Sequence, residues 1–228
     1  MHGPLLPMTT TALLWDISAP VNCTTPVYPG DTPYQQRWST AIGPGSVVNV
    51  STLTMTAHIG THADAPLHYD AQGAAIGQVD LHAYMGPCRV IHALHCGPLI
   101  EWAHLAHAMT GPVPPRVLVR TCAHAPRQWD DTFTACAPAT IDRLADLGVQ
   151  LIGLDTPSID PASSHDLPSH MRVRARGLRI LENLVLDTVP AGDYELIALP
   201  LKLTQADASP VRAVLRPLAA APAAQQPV

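Results

Sequence analysis

Thr56-Ala57-His58-Ile59-Gly60-Thr61-His62-Ala63-Asp64-Ala65-Pro66-Leu67-His68 sets three histidines and an aspartate among small or apolar neighbours. No Lys or Arg lies in the segment, so it is not a solvated charged face. Imidazole and carboxylate are ligands of borderline divalent ions such as zinc or manganese. The polar residues are spaced by four, two and four positions, all even. On a strand they would share one face, with Ile59, Thr61, Ala63, Ala65 and Leu67 on the other. A straight strand cannot deliver them to one ion, because His58 to Asp64 would span roughly 20 Å. A helix would set His58 beside His62, but Pro66 argues against its continuing to His68. The compatible geometry is a bent strand or loop, with Gly60 supplying the backbone freedom. His68, set apart by Pro66, is the best candidate for a role other than ligand, either behind the ligands or as a catalytic base.

Outward from this segment, short β-rich runs recur over Val47 to Thr54, Arg89 to Leu94, Arg116 to Thr121, Leu151 to Leu154, Tyr194 to Leu203 and Val211 to Leu215. The pattern predicts helices over Leu99 to Met109 and over Thr140 to Leu147. Pro138 introduces the second and Gly148 closes it. Strands outnumber helices, so the fold class is α/β, a single β-rich domain with a mixed sheet over residues 13–218. Residues 1–12 read as a flexible extension and residues 219–228 as a disordered tail.

The chain has 228 residues, 47% of them hydrophobic and 14% charged, enough for one domain with a substantial core. Thirteen basic against eighteen acidic side chains give a net charge of −5, which speaks against nucleic acid or an anionic membrane as partner. Aromatics make up only 4% and leave few platforms for stacking bases. Cys23, Cys88, Cys96, Cys122 and Cys136 form no CxxC pair and read as buried free thiols. No window approaches a membrane span and the N-terminus does not read as a signal peptide, so a cytoplasmic protein is expected.

Two later segments hold groups able to complete the site. Ser163-Ser164-His165-Asp166-Leu167-Pro168-Ser169-His170 reads as a polar loop with two candidate histidines. Glu182 is the only acid in the apolar run Gly177 to Leu186. A buried carboxylate needs a partner, which is either Arg179 or a metal. His82, His92, His95, His104, His107 and His124 share no pattern and read as packing or surface residues. There is no GxGxxG, Walker loop, HExxH or GxSxG, so nucleotide binding and serine nucleophile chemistry lose support.

The segment His58 to His68 resembles the HxGTHxDxPxH signature of the cyclase-like metal-dependent hydrolases. Leu14-Trp15-Asp16-Ile17-Ser18, Pro29-Gly30-Asp31-Thr32-Pro33, Leu154-Asp155-Thr156-Pro157-Ser158, Ile180-Leu181-Glu182 and Tyr194 to Leu201 extend the resemblance from about Leu13 to Leu218. Within the family these flanks are similar to those of enzymes that hydrolyse N-formyl-L-kynurenine to L-kynurenine and formate, a step of tryptophan degradation. The resemblance implies two divalent ions per subunit, zinc foremost, with manganese or cobalt acceptable. His58, His62 and Asp64 would hold the first. Asp64 would bridge to the second, held also by His170, and Glu182 would contact both. It further implies His68 as proton donor and acceptor, Tyr28 as the aromatic substrate contact where the family usually has Trp, a swivelling β/β/α fold and a homodimer. The alternatives are another amide or cyclic-amide hydrolase of the family, or a non-catalytic metal-binding protein.

Overall fold

Arg116–Arg120 and Leu151–Leu154 lie at the centre of the molecule, and their near-continuous apolar sequence is what strands buried on both faces require. The structure is a computed structural model and describes residues 13–218; the expected extension and tail lie outside the described residues. Nine strands form one mixed sheet in the order Trp15–Asp16, Val214–Pro217, Gly192–Ile197, Met85–His92, Arg116–Arg120, Leu151–Leu154, Arg179–Glu182, His62–Asp64 and Ala208–Pro210. The four strands from Met85–His92 to Arg179–Glu182 run parallel, and antiparallel strands flank them on both sides.

Side chains alternate between two cores, as the strand period of two demands. Val90, Leu118, Leu151 and Leu181 face one core with Ile17, Tyr84, Leu184 and Leu186. Val117, Val119, Ile152, Leu154 and Ile180 face the other, which is covered by Ile141 and Leu144 of the Pro138–Asp146 helix and Val173 of the Pro168–Arg176 helix. Gly153 sits where the first core closes on the sheet: a Cβ there would meet Leu118 Cδ2 at 2.5 Å and Leu184 Cδ1 at 2.7 Å.

Most of the strands and the Pro138–Asp146 helix arise within a few residues of where the sequence predicts them, but the strand expected over Tyr194 to Leu203 ends at Ile197, and Leu199 to Leu203 is not strand. Two further segments differ. Leu99–Ile100 pairs with Ala135–Cys136 as a short parallel ladder, so the expected helix from Leu99 shrinks to Trp102–Leu105 plus a 3₁₀ turn over Ala106–Ala108. The polar stretch ending at His170 is a loop only as far as Leu167, because Pro168 at the first helical position starts the Pro168–Arg176 helix. That helix is capped by Gly177 in the left-handed region, φ 65°. All five cysteines are free, but only Cys88 and Cys136 have the burial expected for them; Cys96 and Cys122 are half-buried and Cys23 is exposed. No helix among the described residues is long and apolar enough to cross a membrane.

Candidate metal centre and substrate cavity

Backbone register assembles most of the site. The chain turns at Gly60, φ +60°, and enters the strand His62–Asp64, whose two polar side chains are two apart and share a face. This strand pairs antiparallel with Arg179–Glu182, and His62 stands directly opposite Glu182. Directly opposite residues point to the same side of a sheet, so Glu182 joins the two ligands while Arg179, three positions away, faces the other way. Arg179 indeed donates to the carbonyls of Gly177 and Leu178, leaving Glu182 without the cationic partner weighed from the sequence. His170 comes from the first turn of the Pro168–Arg176 helix and is buried, whereas His165 is exposed.

Asp64 is the centre of the cluster. Its Oδ1 lies 3.1 Å from His58 Nδ1 and 3.4 Å from His62 Nε2, and its Oδ2 lies 3.5 Å from His170 Nε2. Glu182 Oε2 is 3.3 Å from His62 Nε2, while Oε1 accepts from Ile159 N at 2.8 Å. Although these atoms are close, both Asp64 oxygens and His62 Nε2 are buried without a hydrogen-bond partner. A carboxylate buried in that state costs several kcal/mol unless a cation meets it. The residues therefore fit divalent ions. Two groups of ligand atoms are tight enough to hold one, His58–Asp64–His68 and His62–Asp64–Glu182, and they share Asp64. His68 is thus within reach of the cluster from which its sequence position separates it. It differs in exposure: 32% of its side chain is accessible, whereas His62, Asp64, His170 and Glu182 are buried.

The electrostatics favour positive charge. Burial works against protonated His62, yet the Asp64 and Glu182 carboxylates beside it hold the imidazole up, at about 10. Burial likewise opposes charge on His170, and Asp160 and Asp64 raise it to about 10. Burial alone would raise Asp64, but the surrounding imidazoles hold it well below the usual carboxylate range. A dication would displace those protons and take their place.

Two carboxylates escaped the sequence reading. Asp160 Oδ2 lies 2.7 Å from His170 Nδ1 and accepts from the His170 backbone N–H at 2.9 Å, so it orients that ring. Asp207 Oδ2 lies 3.1 Å from His58 Nε2 and 3.3 Å from His68 Nδ1. The centre opens into a cavity of ≈ 490 Å³, with His58, His62, His68, His170, Glu182 and Asp207 in its wall. Tyr28, Trp129 and Phe133 line the same cavity, Tyr28 edge-on to Trp129 at 5.3 Å and Trp129 edge-on to Phe133 at 6.0 Å. Trp129 and Phe133 were also missed, although the only Phe of so aromatic-poor a chain, four residues after a Trp in a Pro-containing loop, was a usable signal.

A mixed sheet flanked by few helices, with His, Asp and Glu converging on the adjacent strands His62–Asp64 and Arg179–Glu182, is the arrangement of a metal-dependent hydrolase. The Cyclase family model matches residues 15–161, and the chain belongs to that family. It is 66% identical over 209 residues to the kynurenine formamidase of Delftia acidovorans, covering 92% of this chain and 100% of that protein. It is 64% identical to the kynurenine formamidase of Bordetella pertussis, covering 90% and 99%. A solved structure described as a potential metal-dependent hydrolase with cyclase activity superposes with a TM-score of 0.76 at 30% identity, over 90% of this chain and 98% of that one.

Proposed function

We propose that this chain hydrolyses N-formyl-L-kynurenine to L-kynurenine and formate. The observation that carries the reading is the convergence of buried, unsatisfied ligand atoms on Asp64 at the wall of a cavity lined by three aromatic side chains. Near full-length similarity to kynurenine formamidases supports it. His58, His62 and Asp64 would hold one ion, and Asp64 and His170 the second, with Glu182 available to both. The bridging role of Asp64 is supported by its two oxygens facing different histidines. Bound there, a divalent metal, zinc foremost, would supply Lewis acidity toward the formyl group and lower the pKa of water.

His68 takes a proton from the attacking water and returns it to the aryl nitrogen as the C–N bond breaks. An imidazole suits this task because its ordinary pKa lies near neutral pH. The formyl group is too small to select a substrate, so selection falls to the aryl ketone, against which Tyr28, Trp129 and Phe133 present ring faces and edges. The five free cysteines agree with a cytoplasmic location, where thiols stay reduced.

Purified protein loaded separately with zinc, manganese or cobalt is expected to release L-kynurenine from N-formyl-L-kynurenine. Saturated protein should hold two metal equivalents by elemental analysis. Uptake near pH 8 should release protons to the buffer, because His62 and His170 hold theirs to about 10 in the metal-free site. Absence of turnover with all three metals, alongside opening of a cyclic amide, would move the assignment to another hydrolase of the family. A ratio that stays at one in fully active protein would refute the two-ion centre.

The partner is a second copy of this chain. The hairpin Gln35–Thr40 with Val50–Thr54 stands apart from the main sheet as two strands only. Such a hairpin is marginal in water by itself. It carries Trp38 at 56% exposure and ends in a loop with Val47 at 89%, an apolar surface that calls for cover. Light scattering is expected to give the dimer mass, and the pair Trp38→Glu and Val47→Glu to halve it. A monomer for the unsubstituted chain at tens of micromolar would count against this arrangement.

A further inference from the structure

Asp207 belongs to no ligand group, yet it touches both the metal centre and the proton carrier. Its backbone is held by the strand that delivers Asp64: Ala65 N donates to Asp207 O at 2.8 Å, and the next residue, Ala208, pairs with Asp64. The carboxylate projects from that fixed point between two imidazoles. Oδ2 lies 3.1 Å from His58 Nε2 and 3.3 Å from His68 Nδ1, and the two rings are 4.3 Å apart, tilted by 48°. The other nitrogen of His58, Nδ1, faces Asp64 Oδ1 at 3.1 Å.

An ionised carboxylate only accepts, so each nitrogen that meets Oδ2 must carry the hydrogen. His58 then carries a hydrogen on Nε2, so that once an ion takes the place of the proton between Nδ1 and Asp64 Oδ1, the Nδ1 lone pair is the one that meets it. His68 is protonated on Nδ1, and its Nε2 lone pair is left free for proton transfer. Both rings need these tautomers for the roles assigned to them, and a single oxygen selects both.

We propose that Asp207 is the positioning residue that couples the metal ligand His58 to the proton carrier His68. The proposal rests on the roles given to those two histidines above. With 45% of its side chain exposed and its carboxylate bonded only to His58 and His68, Asp207 has no comparable side-chain part in holding the fold.

The test uses Asp207→Asn and Asp207→Ala, each made in the unsubstituted chain and in His68→Ala. Zinc affinity is measured by competition with a chromophoric chelator, and kcat is measured at saturating metal. In the unsubstituted background, zinc affinity should weaken by about 10- to 100-fold, and kcat should fall by a similar factor even when metal is saturating. In the His68→Ala background the same affinity loss should appear, with no further loss of kcat. Thermal melting of the metal-free proteins should coincide for all variants.

If the kcat losses multiply across the two backgrounds, Asp207 does not act through His68 and the proposal falls. Unchanged zinc affinity in both variants overturns its hold on His58. A wild-type kcat for His68→Ala alone instead overturns the proton-transfer reading, and with it the His68 half, while the affinity measurement still decides the His58 half.

Discussion

His68→Ala is expected to lower kcat by about 10²–10⁴-fold at saturating metal while leaving both ions in place. That factor corresponds to about 3–5 kcal/mol of transition-state stabilisation. His68 sits on the single turn Pro66–Tyr69, whose first position is a proline, and its backbone N–H donates to Ala65 O at 2.9 Å. The turn swings its ring out of the buried ligand layer into the cavity wall, where 32% of it remains accessible. A ligand for an ion gains from burial, whereas a group that must meet water and a leaving nitrogen needs access. The competing role is real in distance, because His68 can join His58 and Asp64 around one ion. Metal content and kcat measured on the same variant separate the two. If one equivalent is lost, or if excess metal restores turnover, His68 is a ligand.

What could be read from the sequence, and what could not, follows from how local each geometry is. His62 and Asp64 share a face through the period of two of one strand, and Gly60 supplies the turn that a straight strand lacks, so spacing alone carried that far. Glu182 is different. Its place depends on which residue of a remote strand stands opposite His62, and register between distant strands is not written in either strand's local pattern. Resemblance to a family supplied what spacing could not. The choice between His165 and His170 was likewise undecided by residue type, although Pro168 marked the helix start that buries the second.

Asp160 and Asp207 lie further beyond local reasoning. Each is one carboxylate in a connecting segment, Asp207 brought to its histidines across the fold and Asp160 by the turn into the Pro168–Arg176 helix, and an isolated aspartate is most often a solvated loop residue. For the fold itself, the central strands were legible because burial on both faces leaves a continuous apolar run. The segment from Leu99 was not, because its apolar residues suit helix and strand alike and the short ladder with Ala135–Cys136 decides between them.

Asp64→Asn is expected to empty both metal positions together and to reduce kcat/KM by about 10²–10³-fold or more, the scale on which loss of a preorganised electrostatic group is felt. The substitution keeps the volume of a side chain buried to 1% exposure, so the loss is electrostatic and not one of packing. An amide has one oxygen to accept with and an NH₂ that only donates. Whichever way it turns, the NH₂ faces either the His58 and His62 nitrogens that meet Oδ1 or the His170 nitrogen that meets Oδ2. One ion position therefore gains a donor where it needs an acceptor. The other loses the negative charge that offsets a dication, leaving Glu182 as the only other carboxylate of the ligand set proposed above. Elemental analysis after dialysis against metal-free buffer reads the outcome. Loss of a single equivalent makes Asp64 a terminal ligand of one ion, and retention of both with full turnover removes it from the centre altogether.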